Sequence, residues 1–106
     1  MAADPDLVDR LRAWFGGEVH EKAMFGGVAF LVGGHMTVAA GSNGGLMVRC
    51  DPDDLAAFCE EPGVEPMVMR GSPMKGWLTV EAPIDDDALG RWATVGRHYV
   101  ASLPPK

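Results

Sequence analysis

The sequence predicts an α+β fold: an antiparallel sheet of about five to six strands with an N-terminal helix, a middle helix and a long C-terminal helix. Three observations predict it. Apolar residues recur at helical spacing near both ends of the chain. The segment between them changes to short apolar runs. Those runs are punctuated by glycine pairs and Asn-Gly, the residues that supply the positive φ of tight hairpin turns. The resulting order is helix, three or four strands, helix, two strands, helix, which is not the strict βαβ alternation of a parallel sheet.

The first helix opens at Asp4-Pro5, where Asp caps free amides and Pro at the first helical position has no amide to leave unpaired. Leu7, Val8, Leu11, Trp14 and Phe15 form its apolar stripe, and Gly16-Gly17 ends it. From about Glu21 to Cys50 the chain reads as an antiparallel meander, turning at Gly33-Gly34 and Asn43-Gly44. Asp51-Pro52-Asp53-Asp54 starts a second helix with Leu55, Ala56, Phe58 and Cys59 on its apolar side, and Pro62-Gly63 stops it. A strand from Glu65 to Met69, a loop from Gly71 to Gly76 and a strand from Trp77 to Glu81 follow. Asp85, Asp86 and Asp87 open the last helix, whose stripe is Leu89, Trp92, Ala93, Gly96, Tyr99, Val100 and Leu103, before Pro104-Pro105. Internal repeats, low-complexity tracts and linkers are absent, so residues 1–106 read as one domain.

Composition narrows the function. With 9 Lys and Arg against 15 Asp and Glu, the chain carries −6 at pH 7, which argues against a surface that wraps nucleic acid by releasing counterions. Cys50 and Cys59 have neither CxxC spacing nor a ligand-spaced histidine, and read as reduced thiols. The start MAADPDLVDRLRAW lacks the basic and apolar regions of a secretory signal, and no apolar run reaches a membrane span, so a cytoplasmic location is expected.

Residues 22–34, KAMFGGVAFLVGG, raise the possibility of a phosphate-binding glycine loop. Such a loop needs a strand before it and a helix after it, so that free amides point at the anion. Here MFGG is followed by VAFLV, a strand, and no GKS or GKT occurs. Gly26-Gly27 is instead expected to bend or bulge a strand, or to admit another backbone closely.

Two-residue turns at Gly33-Gly34 and Asn43-Gly44 would pair Leu31 with Met36, Ala29 with Val38, Ala40 with Met47 and Val38 with Arg49. One face then collects Ala29, Leu31, Met36, Val38, Ala40, Met47 and Arg49; the other collects Val28, Phe30, Val32, Thr37, Ala39, Val48 and Cys50. Both are apolar. A sheet with helices on one side is ordinarily polar on the other, so the second face is expected to be covered by a subunit, a partner, a ligand or a helix of the same chain.

The segments EKAMFGGVAFLVGGHM, GLMVR at Gly45 to Arg49, PMKGWLTV at Pro73 to Val80 and LGRWATVGRHYV in the closing helix resemble the TfoX (Sxy) N-terminal domain family, over about Val8 to Pro105. MFGG followed by an apolar strand is the most specific element. The resemblance implies a compact α+β domain of secretion-chaperone-like type and no agreed reaction. It also implies a bacterial regulatory setting, since the family is named for a competence regulator, which carries a further C-terminal helical domain.

The candidate ligand or partner-binding residues are Lys22, Phe25, Arg49, Lys75 and Trp77: cations, together with Arg70, in an otherwise acidic chain, with aromatic walls beside them. Scattered solvated charges are the alternative. His20, His35 and His98 lie in different elements without HxH or HExxH spacing, the methionines, including Met67, Met69 and Met74, suit core filling, and neither Ser42 nor Ser72 has a nucleophile-elbow context. No catalytic residue, metal or cofactor is assigned. The sequence therefore reads as a non-enzymatic binding or regulatory module, with a homodimer or a protein partner on an apolar sheet face. The alternative is a sensor of a small anion, or an uncharacterised enzyme, around Lys22, Arg49, Lys75 and Trp77.

Overall fold

The computed structural model describes residues 4–24, 27–41, 44–69 and 71–104. Their elements are α1 (Pro5–Phe15) with a 3-10 turn (Gly16–Glu18), β1 (His20–Met24), β2 (Gly27–Val32), β3 (His35–Ala40), β4 (Leu46–Arg49), α2 (Leu55–Phe58), β5 (Val64–Met69), β6 (Ser72–Val80) and α3 (Asp86–Ala101). The six strands form one antiparallel sheet in the order β1-β2-β3-β4-β6-β5. This is the α+β architecture expected. No helix among the described residues is long and apolar enough to cross a membrane.

Local chemistry accounts for the helix ends. The Asp4 carboxylate accepts from the Asp6 amide at 3.0 Å, Pro5 begins the helix, and Gly16 at φ +71° ends it with its amide donating to the Arg12 carbonyl. Asp85 likewise accepts from the Ala88 amide at 2.7 Å. The middle helix is shorter than the composition suggests. Asp54 makes no capping bond, and Asp51 instead accepts from the Asp53 amide at 2.9 Å, so the aspartates shape a turn before a single helical turn. The segment 71–76, expected as a loop, belongs largely to β6, which begins at Ser72.

Leu7, Leu11 and Phe15 of α1, with Leu89, Trp92 and Ala93 of α3, share one buried cluster with Phe30, Val38, Ala40, Leu46, Val48, Cys50, Leu78 and Val80 of the sheet. Phe15 stacks on Phe30 with centroids 5.8 Å apart, and each such buried side chain contributes about 2 kcal/mol over its exposed state. Ion pairs clamp the helices from outside. Arg12 grips Glu21 of β1 through two bonds of 2.7 and 2.8 Å, Arg10 joins Asp86 at 2.8 Å, and Arg91, lying over Trp92, pairs with Glu61.

Two features correct the expected register. Phe30 pairs with Val38 but Leu31 with Met36, so Thr37 is an extra residue, a β-bulge, and its hydroxyl donates to the Phe30 carbonyl at 2.8 Å. Ala29 therefore faces Ala39 rather than Val38. At the next turn, Gly41 donates to the Gly45 carbonyl at 2.9 Å and Gly44 sits at φ +83°, so the loop holds three residues, not two. Ala40 thus meets Leu46, and Val38 meets Val48, instead of Met47 and Arg49. The bulge moves Val38 and Ala40 onto the helix side and Ala39 onto the opposite one, and the longer turn keeps Met47 on the side of Ala29 and Leu31. The Gly33-Gly34 turn is as expected, with φ of +60° and +84° and Leu31 opposite Met36.

Candidate functional site

Direct cross-strand partners share a face, so the register defines both surfaces of the sheet. One continuous row runs Glu21, Phe30, Val38, Val48, Leu78, Pro66 from edge to edge. It is the helix side: Glu21 is held by Arg12 of α1, and the middle four belong to the core. The adjacent row runs Lys22, Ala29, Ala39, Met47, Thr79, Glu65 across the same six strands and faces the other way.

Among the described residues no helix packs on that second side, since α3 lies against β3 and β4, α2 against β6, and α1 against α3, all within the core cluster. Its middle is apolar. Leu31, Met36, Met47 and Trp77 are half-buried there, and the methyls of Ala29 and Ala39 form a fully covered floor. Val68 on the edge strand β5 is 61 % exposed. Pro66 in the same strand lacks an amide donor, which blunts this edge against strand addition.

The expected site residues separate on this frame. Arg49 and Trp77 are brought together as register partners on β4 and β6. Lys75 is exposed two positions from Trp77, on the other side of Gly76, which takes a φ of +78° within β6. Lys22 is exposed on β1, four strand spacings or roughly 19 Å from β6. Phe25 and Arg70 lie outside the described residues. The guanidinium carbon of Arg49 lies 5.6 Å from the ring centroid of Tyr99 on α3. Sequence reasoning found Leu31, Met36 and Met47 on one face but missed Glu65, because its place in the row depends on β5 pairing with β6 on the far side of β4.

Two depressions stand out among the described residues, one beside the sheet and one in the helix layer. One of about 500 Å³ lies between the β3–β4 turn and the β5–β6 pair, lined by Gly41, Gly45, Met47, Gly63, Thr79 and the carboxylates of Glu65 and Glu81. Among the described residues its charged lining is acidic, which suits a cation. The other, about 260 Å³, lies at the end of α3 between Asp51, Asp54, Phe58, Val95, His98, Tyr99 and Ser102. Among the described residues no group of three or more His, Cys, Asp or Glu side chains could hold a metal ion.

The titratable groups behave as structural elements. The Arg12 guanidinium, through its hydrogen bonds, holds the Glu21 carboxyl below its ordinary range, and Arg91 does the same to Glu61. Burial pushes the Cys50 thiol up to about 11, with nearby Cys59 and aspartates adding to the shift. The Cys59 thiol is also raised by burial. Neither cysteine is disulfide-bonded, and thiols shifted this way are poor nucleophiles. His35 is buried on the helix side with Nε2 2.7 Å from the Pro104 carbonyl, so Nε2 donates, and among the described residues Nδ1 has no partner.

Gly27 settles the question raised by MFGG. It opens β2, not a helix, and a β-carbon there would stand 1.9 Å from the Ala40 carbonyl oxygen. The glycine serves a close approach of backbones, and no helix start follows it to cradle an anion.

No curated protein and no solved structure matches this chain. The family model for the TfoX N-terminal domain matches residues 9–97, which span most of α1, the whole sheet and most of α3. The match includes the glycine-led strand β2, the bulged β3 and the helix that packs over it, and the chain belongs to the TfoX N-terminal domain family.

Proposed function

We propose that this domain is a non-enzymatic, cytoplasmic protein-binding module of the TfoX N-terminal type, acting by association in the regulation of transcription or competence. The observation that carries this reading is the helix-free sheet face, where Leu31, Met36, Met47 and Trp77 stand half-buried around an alanine floor. Contiguous apolar surface of this kind marks association sites, whereas a sheet face meant for water alternates to polar residues. Low-reactivity thiols and carboxylates occupied as helix caps or ion-pair partners support the non-enzymatic part.

Met47→Glu tests it by placing a charge at the centre of the face. We expect the variant to keep its circular dichroism spectrum and lose association in sedimentation velocity. Unchanged association would overturn the reading.

The pairing of Arg49 with Trp77, two residues beyond Lys75, favours a second reading, a small anionic ligand at the β4–β6 end. A thermal-shift screen of anionic metabolites separates the two, because a ligand that binds only the folded state raises Tm. A hit abolished by Arg49→Ala would establish the sensor; the absence of any hit removes it.

A further inference from the structure

We propose that the occupant of the helix-free face is a second copy of this chain, stacked sheet on sheet about a two-fold axis parallel to the strands, with Lys22 of each copy meeting Glu65 of the other. This rests on the proposed function, in which that face is the association surface.

The row Lys22, Ala29, Ala39, Met47, Thr79, Glu65 is basic at one sheet edge, apolar in the middle and acidic at the other edge. Its charged ends are about 24 Å apart at the usual strand spacing. A closed dimer uses the same patch twice, so this row must be complementary to itself. Two in-plane axes lay the row directly over its own copy, and charge chooses between them. An axis along the row sets Lys22 over Lys22 and Glu65 over Glu65, opposing like charges. An axis along the strands, between β3 and β4, reverses the row and sets Lys22 over Glu65 at both edges. The same operation lays the low alanine half of one row under the taller Met47 and Thr79 of the other.

Both end residues are exposed, and among the described residues neither has an ion-pair partner. Glu21, the neighbour of Lys22 in the chain, is by contrast taken by Arg12 on the helix side. Glu65 also shares its depression with Glu81, so the ammonium group of the second copy would enter a doubly acidic hollow. Stacked sheets stand about 10 Å apart, a gap that a lysine and a glutamate side chain bridge between them.

Sedimentation equilibrium with charge reversals tests the pairing. We expect a dimer for the native chain. Lys22→Glu and Glu65→Lys should each weaken it about tenfold, since attraction becomes repulsion at two places, and the double variant should return to within about twofold of the native constant. A dimer indifferent to the single reversals, or not rescued by the double one, overturns this pairing. If Met47→Glu still dissolves that dimer, the face survives as an association surface with another registry. A native chain that stays monomeric to about 100 µM also overturns it. In that event, loss on Met47→Glu of binding to the apolar dye anilinonaphthalene sulfonate would leave a docking face for a different protein, and no loss would remove both readings.

Discussion

The carbonyl oxygen of Ala40 occupies the space that a side chain at Gly27 would need, 1.9 Å from where its β-carbon would stand. Gly27 lies outside the left-handed φ region, so space rather than backbone conformation requires glycine.

Gly27→Ala is expected to force β2 away from the end of β3 and to destabilise the fold by about 3 kcal/mol, with loss of the β2–β3 ladder at that end. Gly17→Ala, where a β-carbon would meet nothing within 4 Å, is the control and should change stability little. Urea unfolding of both variants checks the contrast. Equal stabilities would show that the MFGG glycine is not needed for packing.

Two glycines of α3 should respond in opposite directions. Gly to Ala in a helix ordinarily stabilises by about 1 kcal/mol, and Gly90, whose β-carbon would lie 3.5 Å from Trp14 Nε1, has room for that gain. At Gly96 a β-carbon would lie 2.5 Å from the Thr37 carbonyl oxygen, where the bulged strand presses on the helix. Gly96→Ala should therefore cost about 2 kcal/mol by forcing helix and strand apart. Thermal melts of the two single variants give the signs directly.

Alkaline stability should report the Cys50 thiol. Its value rises on folding from 9.0 to about 11, so the folded chain holds its proton where the unfolded chain has released it. The stability linked to this group is fully present below about pH 9 and is lost as the pH climbs toward 11, by about 2 kcal/mol. Cys59 shifts in the same direction and adds to the slope. Denaturant titrations at both pH values should show the decline, and Cys50→Ala should flatten it. At pH 8 a thiol reagent should modify the half-buried Cys59 well before the fully buried Cys50.

Much of the architecture is determined locally, and the sequence by itself carried it. Asp4-Pro5 and Asp85 start helices because their carboxylates satisfy free amides within three residues, and Gly33-Gly34 turns a hairpin because both residues take positive φ. The family, too, was legible in the linear motifs, and the match over residues 9–97 bears it out. The tertiary structure decided which side chains share a face. An extra residue at Thr37 and a third residue in the β3–β4 turn each shift pairing by one, and with a side-chain period of two a one-residue shift exchanges the faces. The place of Glu65 opposite the Lys22 edge likewise needed the crossover that sets β6 between β4 and β5. Neither the bulge nor that strand order leaves a local mark, because both are fixed by packing between segments far apart in the chain.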